Sequence, residues 1–284
     1  MSKAAWQAAA LAKVGTEMVT EDAMLPDHSN ALYAALDDDR MVRAGDVLPP
    51  LFHWLYFNPA PRADRLKEDG HEKLGGFLPA TPYSRRMWAG SDIAFHQPLR
   101  LGQPSQRRSI IRNVTFKEGR SGPLCFVKVT HDISQNGQLC LTDTHNIVYR
   151  QAETVAAGAP VACLAPPNEN AVNSVLLFRY SALTYNGHRI HYDAPYAREI
   201  EGYPGLVVHG PLMATLMVRA ALAQHRDKHI TRFGFRSVAP LFAMEGFTIH
   251  VATNDHAETK GRTSQISLTK THGTVCVTAE AVWG

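Results

Sequence analysis

Residues 206–223, LVVHGPLMATLMVRAALA, are the stretch that decides the fold. After Gly210 and Pro211 the stretch is apolar on nearly all sides, which predicts a helix that the rest of the chain covers on most of its surface. Proline is favoured in the first turn of a helix, so we expect the helix to begin at Gly210. His209, Gly210, Pro211 and Arg219 interrupt the apolar run and argue against a membrane span.

Strand-like sequence follows this helix from about Ile230 to Trp283, and a similar segment runs from about Met87 to Arg150 with an Asn136-Gly137 hairpin signal. Short echoes recur in the same order in both halves: residues 33–36 (YAAL) and 180–183 (YSAL), 45–51 and 203–209, and 137–142 (GQLCLT) and 273–278 (GTVCVT). Three ordered echoes favour two copies of one unit. We therefore expect domains at 1–150 and 171–284, joined by a linker at 151–170.

Each unit is predicted to contain a helix wrapped by a strongly curved antiparallel sheet, which gives an α+β fold. The two sheets are expected to continue edge to edge, because this arrangement hides edge strands.

Composition excludes several classes of protein. The chain has 284 residues, 45% of them hydrophobic, as in a globular protein, and its net charge of +3 argues against a nucleic-acid-binding role. The four cysteines have no zinc-site spacing and are expected to be reduced, which suits the cytoplasm; they are Cys125, Cys140, Cys163 and Cys276. Residues 1–13, MSKAAWQAAALAK, predict an alanine-rich surface helix rather than a signal peptide.

The densest group of functional side chains is residues 185–193, YNGHRIHYD, called the signature segment below. It precedes the Gly210 helix start, where the Gly210 N–H is an unpaired donor at the positive end of the helix dipole. Such a donor can polarise a thioester carbonyl, an effect worth roughly 3–4 kcal/mol in enzymes. The alternative is a plain helix cap beside a packed His209. A metal site from His188, His191 and His209 is not expected, since no carboxylate or cysteine offers a fourth ligand.

These residues resemble a known family. Residues 186–191, NGHRIH, resemble the signature of MaoC-type (R)-specific enoyl-thioester hydratases. Residues 178–193 and 202–214 resemble more closely its hydroxyacyl-thioester dehydratase type 2 branch, as does the RRMWAG string at 85–90. The resemblance covers nearly the whole chain. It implies a double hotdog fold, in which each curved sheet wraps one helix, with a single functional site.

The resemblance assigns roles by position. His191 matches the catalytic histidine and Gly210 the thioester-polarising N–H. Asn186 stands where the family has an acid; an amide can orient water but has no carboxylate to take a proton. We therefore expect His191 to take a proton from water and to return one to Cα. The first half aligns Ala44 with His191, so its pocket is expected only to hold substrate.

The implied function is that of an (R)-type hydratase or dehydratase, a hydro-lyase that adds water across an α,β-unsaturated acyl-CoA thioester. Bacterial members that act on mesaconyl-C4-CoA and itaconyl-CoA suggest a short branched dicarboxylic acyl group and a place in itaconate degradation. The free carboxylate of such a group needs a cation, with Arg86 and Arg189 as candidates. The expected substrate-binding residues are His188, Arg189, His209, Arg86 and Trp88.

Two other functions stay open. A hotdog thioesterase would need a carboxylate near the helix, and residues 212–223 offer none. A non-catalytic acyl-thioester binding module is possible if Asn186 marks lost activity. The expected partner is an acyl-CoA thioester, with no cofactor, nucleic acid or membrane, and a homodimer is an open alternative.

Overall fold

The computed structural model describes residues 2–119, 122–151, 170–256 and 261–284. The helices are α1 (Lys3–Leu11), α2 (Pro26–Ala35), α3 (Ser174–Leu183) and α4 (Gly210–Gln224). Short 3-10 helices lie at Phe52–Leu55, Ala63–Arg65 and Arg189–His191, and a π-helical turn at Tyr196–Ile200. The strands are β1 (Glu17–Asp22), β2 (Arg85–Phe95), β3 (Ser105–Gly119), β4 (Gly122–Gln135), β5 (Gln138–Arg150), β6 (Ile230–Ser237), β7 (Phe247–His256), β8 (Gly261–Lys270) and β9 (Val275–Trp283).

All nine strands form one antiparallel sheet in the order β1-β3-β4-β5-β2-β6-β9-β8-β7. Strand β2 pairs with β5 of its own half on one side and with β6 of the second half on the other, from Gly90 opposite Arg236 to Ala94 opposite Arg232. The two halves therefore share a continuous sheet, as the sequence predicts, and β2 carries the junction.

Helix α4 is the central helix of the second half. It begins at Gly210, as predicted, with Pro211 in its first turn, and it packs against β7, β8, β9 and β2. Residues from several sides of the helix are buried: Leu212, Met213, Ala214, Thr215, Met217, Val218 and Ala221. The burial explains why the sequence is apolar nearly all round.

The central helical segment of the first half is much shorter than α4. Matching hydrogen bonds, Leu48 N to Leu99 O and Val208 N to Leu241 O, put the start of α4 in register with residues just after Leu48. Only a 3-10 helix, Phe52–Leu55, follows there. Leu51 has a φ of +69°, outside the helical region, and Asn58 and Ala60 precede prolines, which disfavours helical backbone. These local breakers outweigh the apolar composition, so the helix predicted for the first half is a short 3-10 helix.

A buried hydrogen-bond network holds this short helix in the first half. The Asp143 carboxylate accepts bonds from Trp54 Nε1 (2.8 Å) and Ser91 Oγ (2.5 Å) and lies 3.1 Å from His53 Nε2 and 2.8 Å from His145 Nε2. Burial opposes ionisation of Asp143, but these contacts outweigh it and hold its pKa well below the usual value. Residues 51–57 are all buried and fill the space that a long helix would take.

The sequence echoes occupy equivalent places. Cys140 O accepts the N–H groups of His96 and Gln97, and Cys276 O accepts those of Val238 and Ala239. Cys125, Cys140 and Cys276 are buried and free, as expected of core residues. Most of the predicted linker and Cys163 lie outside the described residues, so the domain boundaries stay a prediction.

Two further expectations can be compared with the structure. The predicted alanine-rich helix is α1, which buries Trp6 and Ala10. The sequence also predicts a helix over residues 30–36 capped by Asp27 or Ser29. Helix α2 begins at Pro26, so both residues lie inside it, and Ser29 Oγ contacts Tyr56 Oη at 2.8 Å. Across the ranges given above, no helix is both long enough and apolar enough to cross a membrane.

Candidate active site

The start of α4 lies at the junction between the halves. His209 precedes the helix, and a Cβ added at Gly210 would lie 3.4 Å from Ser237 Oγ on β6 and 3.9 Å from the Trp88 carbonyl oxygen on β2. The first N–H groups of a helix have no partner within the helix. Glycine here lets a ligand approach the Gly210 N–H closely between the two strands.

His191 is held in one tautomer. It ends the 3-10 helix of the signature segment, and its Nδ1 lies 2.7 Å from the Val207 carbonyl oxygen, to which it donates. Nε2 is therefore the ring nitrogen with a lone pair. Burial lowers the pKa of His191 to about 4, despite the bond to Val207. His191 is thus a neutral imidazole at physiological pH, with the basic nitrogen a proton acceptor needs.

His209 supports His191 from behind. The two rings stack with centroids 3.7 Å apart, and His209 Nε2 lies 2.8 Å from Ser181 Oγ on α3. His209 is only 1% exposed, and burial and the neighbouring His191 hold its pKa well below 6.5. The structure therefore places His209 between the His191 ring and Ser181 of α3, whereas the resemblance puts it among the substrate-binding residues.

Asn186 and His188 shape the signature segment. The Asn186 side-chain oxygen accepts the backbone N–H of His188 at 3.1 Å, which folds the turn before His191. The ring of His188 lies edge-on to His191, with centroids 5.5 Å apart. Asn186 therefore has a structural role in this turn, and its proposed action on water stays a prediction.

The two candidate arginines have different surroundings. Arg189 donates to Asp193 Oδ2 at 2.9 and 2.8 Å and to the Glu68 carbonyl at 3.2 Å, and it stacks on the Tyr196 ring. Arg86 is partly buried and, with Tyr149, lines a cavity of about 10 Å³. The ion pairs of the described residues include none for Arg86. Of the two candidates for binding the substrate carboxylate, Arg86 is thus the one whose guanidinium forms no ion pair with the described residues.

Trp88 forms an aromatic wall at the same junction. Its indole N–H donates to the Gly90 carbonyl at 2.9 Å, and its ring packs against Trp54 and His145 of the first half and Phe235 of β6. Since the Trp88 carbonyl lies near Gly210, this wall borders the start of α4. The placement suits the expected contact with an acyl group.

Sequence reasoning missed two residues of this site. Residues 58–84 are rich in proline, glycine and charge, which predicts a surface loop. However, Asp69 is buried, and the His71 ring packs at a tilt against His188 with ring centroids 4.0 Å apart. The available signal was the Asp69-Gly70-His71 string, in which glycine separates an acid from a histidine. No local pattern tells that a distant loop docks on the signature segment.

Ligand atoms of Asp69, His71 and His188 lie within 4.8 Å of one another, close enough to hold a metal ion. However, Lys67 Nζ already lies 2.7 Å from Asp69 Oδ2, and the charge of Arg86 acts on both histidines. Two neighbouring cations disfavour a third, so this group suits hydrogen bonding or an anion better than a metal.

Comparisons with known proteins identify the family of the chain. The family model for hydroxyacyl-thioester dehydratase type 2 matches residues 51–243. The chain is 46% identical over 262 residues to the mesaconyl-C(4)-CoA hydratase of Chloroflexus aurantiacus. The aligned region covers 89% of this chain and 91% of that protein.

Solved structures support the fold. A structure described as a MaoC-like dehydratase superposes with a TM-score of 0.70 at 16% identity, over 95% of this chain and 98% of its own. A Mycobacterium tuberculosis protein described as having a double hotdog fold superposes with a TM-score of 0.58 at 11% identity, over 95% of this chain and 96% of its own. The predicted α+β double hotdog fold is confirmed. The predicted enzyme class is confirmed as well, since the relatives are named hydratases and dehydratases, which are hydro-lyases. The chain belongs to the hydroxyacyl-thioester dehydratase type 2 family.

Proposed function

We propose that this chain is an (R)-type hydratase and dehydratase of acyl-CoA thioesters that acts on a short branched dicarboxylic acyl group, of the mesaconyl-C4 or itaconyl kind. The observation that carries the proposal is His191, a neutral imidazole whose Nδ1 is fixed on Val207 and whose Nε2 keeps its lone pair, stacked on the residue that precedes the Gly210 helix start. The 46% identity to a mesaconyl-C(4)-CoA hydratase supports the acyl-CoA thioester.

The reaction follows from these groups. The thioester carbonyl accepts the Gly210 N–H, which draws electrons from the double bond. Water attacks Cβ: the new O–Cβ bond forms as His191 Nε2 takes a water proton, and the π electrons move through Cα to an enolate oxygen held by Gly210. The His191 imidazolium then returns the proton to Cα. Dehydration is the same sequence reversed.

Two features of the first half favour a particular size and charge of the acyl group. Residues 51–57 are buried, and Trp54 among them packs against Trp88, so these side chains favour a short acyl chain beside Trp88. A free carboxylate needs a cation, and Arg86 offers an uncommitted guanidinium beside His71 and His188. These two features favour a short acyl group with a second carboxylate.

A substrate panel tests the proposal. Loss of enoyl absorbance is measured for crotonyl-CoA, mesaconyl-C4-CoA and itaconyl-CoA, and we expect one of the two dicarboxylic substrates to have the highest kcat/KM. Arg86→Gln is expected to lower that value roughly 10- to 100-fold, as for loss of a hydrogen bond to a charged group, with crotonyl-CoA much less affected.

Other outcomes would contradict the proposal in distinct ways. Equal rates on all three substrates would argue against a carboxylate pocket. Release of free CoA thiol would show a thioesterase, although α4 has no carboxylate in its sequence. Saturable binding without turnover would show an acyl-thioester binding module.

A further inference from the structure

The loop at residues 66–73 of the first half lies directly on the signature segment of the second half. Gly70, at a φ of +86°, faces Gly187 so closely that a Cβ on Gly70 would overlap the Gly187 carbonyl. The Arg189 N–H donates to the Asp69 carbonyl at 3.0 Å, and the Arg189 guanidinium donates to the Glu68 carbonyl. Backbone contacts therefore fix the 66–73 loop against the segment that carries His191.

Within this loop, Asp69 and His71 form a pair. Asp69 Oδ1 accepts the backbone N–H of His71 at 2.9 Å, and Asp69 Oδ2 lies 3.4 Å from His71 Nδ1 and 2.7 Å from Lys67 Nζ. Burial opposes ionisation of Asp69, but the bonds from His71 and Lys67 outweigh it and hold its pKa well below the usual value. Burial and the charge of Arg86 lower the pKa of His71 to about 4. The pair is an ionised carboxylate beside a neutral imidazole.

The pair reaches His191 through His188. The His71 ring packs against His188 at an interplanar angle of 42°, and the His188 ring lies edge-on to His191. Burial, followed by repulsion from His71 and His191, holds the pKa of His188 far below 6.5. A carboxylate next to Nδ1 favours the Nδ1–H tautomer of His71. The position of His71 therefore determines where the His188 ring stands beside the catalytic nitrogen.

We propose that Asp69 and His71 are positioning residues of this active site: Asp69 orients His71, and His71 holds His188 so that the attacking water lies between the imidazoles of His188 and His191. This inference rests on the proposed hydratase function. His191 Nε2 takes the proton, as above, and His188 accepts a hydrogen bond that fixes the oxygen toward Cβ. The first half thereby supplies the orientation that a carboxylate at position 186 would give.

The kinetic test compares Asp69→Asn and His71→Gln with Glu72→Gln, which neutralises an exposed carboxylate on the same loop. We expect both site variants to lower kcat on the order of 10- to 100-fold, as for a misplaced reactant, with KM within about threefold of the parent. Glu72→Gln should keep kcat within about twofold. A kcat within about twofold of the parent in both site variants would overturn the proposal.

A second measurement needs no substrate. Nitrogen-15 spectra of the histidine rings report tautomers directly, and we expect His71 in the Nδ1–H form in the parent. Asp69→Asn should change this tautomer and move the His188 ring signals, while Glu72→Gln leaves both unchanged. Unchanged His71 and His188 signals in Asp69→Asn would refute the positioning role.

The two measurements separate this inference from the proposed function. If the parent turns over none of the three acyl-CoA substrates, the hydratase proposal fails while the ring spectra still decide whether Asp69 orients His71 and His188. Rate loss on chelation that zinc restores would overturn the positioning role in favour of a metal held by Asp69, His71 and His188.

Discussion

At the scale of single residues, His191 owes its expected chemistry to one hydrogen bond and to its burial. The Val207 carbonyl selects the tautomer, and burial keeps the ring neutral. The resemblance of residues 186–191 to the family signature is what singles out His191 in advance. The tautomer and the stacking on His209 depend on residues 16 and 18 positions away, and no local pattern predicts them.

We expect His191→Ala to lower kcat by 10²- to 10⁴-fold, because a positioned proton-transfer group contributes that much. The measurement is the steady-state rate on the best acyl-CoA of the panel. His250→Ala, which removes an exposed histidine, is the control and should leave kcat unchanged. If His191→Ala stays within about tenfold of the parent, His191 is not the proton-transfer group.

Asn186→Asp tests the residue at the position of the family's acid. An aspartate keeps the oxygen that accepts the His188 N–H, so the turn should form and the variant should remain active. Activity is measured on the same substrate, with Asn186→Ala as the variant that loses the turn acceptor. Complete loss in Asn186→Asp would show that the amide N–H of Asn186 is essential.

At the scale of elements, the strands were predictable and the first-half helix was not. Alternating and β-branched sequence with Asn-Gly turns identified the sheet regions, because strand signals are local. Each unit is predicted to contain a helix, but the first half has only four residues of 3-10 helix at the place of α4. The prolines that follow Asn58 and Ala60 are a local signal of this difference. The network on Asp143 is not, because it joins side chains about 90 positions apart.

The docking of the 66–73 loop depends on two apposed glycines. Gly70→Ala should displace the loop, because the new Cβ would meet the Gly187 backbone, and kcat should fall more than about tenfold. Gly75→Ala is a matched control: its φ is +102°, so it shares the backbone strain, but a Cβ there meets only Ala80 at 3.9 Å. Equal kinetic effects of the two variants would show that strain, rather than the overlap with Gly187, is responsible.

Asp143→Asn should destabilise the first half. The amide cannot accept all the donors that meet the carboxylate, and leaving buried donors unpaired costs about 2–4 kcal/mol. Urea unfolding gives the free energy of unfolding directly. Asp132→Asn, at a partly exposed carboxylate bonded to Thr142, is the control and should lose less than about 1 kcal/mol. Equal losses would argue against the network as the support of the 3-10 helix.

At the scale of the molecule, the two halves share one apolar core and one sheet. Leu51 and Ile93 of the first half belong to the same buried cluster as Val218 and Phe233 of the second. We therefore expect a single cooperative unfolding transition rather than one per half. The sequence echoes predicted two copies of one unit, and the need to hide edge strands predicted that their sheets continue edge to edge.

Acid should destabilise the whole molecule. Burial lowers the pKa of six histidines below 6.5: His53, His71, His131, His188, His191 and His209. Below pH 6.5 these histidines bind protons in the unfolded chain but stay neutral in the folded chain. The free energy of unfolding is therefore largest above pH 6.5 and falls toward pH 4. Each histidine contributes a slope of about 1.4 kcal/mol per pH unit.

Urea unfolding at pH steps from 7.5 to 4.5 measures this slope. His272→Gln, which removes an exposed histidine, should leave the slope unchanged. A free energy of unfolding that stays constant between pH 7 and 5 would show that the buried histidines are charged in the folded state.

The missing helix of the first half has an evolutionary consequence. In the second half α4 ends at Gln224 and β6 begins at Ile230, whereas in the first half the 3-10 helix ends at Leu55 and β2 begins only at Arg85. The extra chain forms the loop that covers the signature segment. On the proposed function, the second copy carries the chemistry and the 66–73 loop of the first copy contacts it, so substitutions in that loop are expected to alter selectivity without disturbing a strand of the sheet.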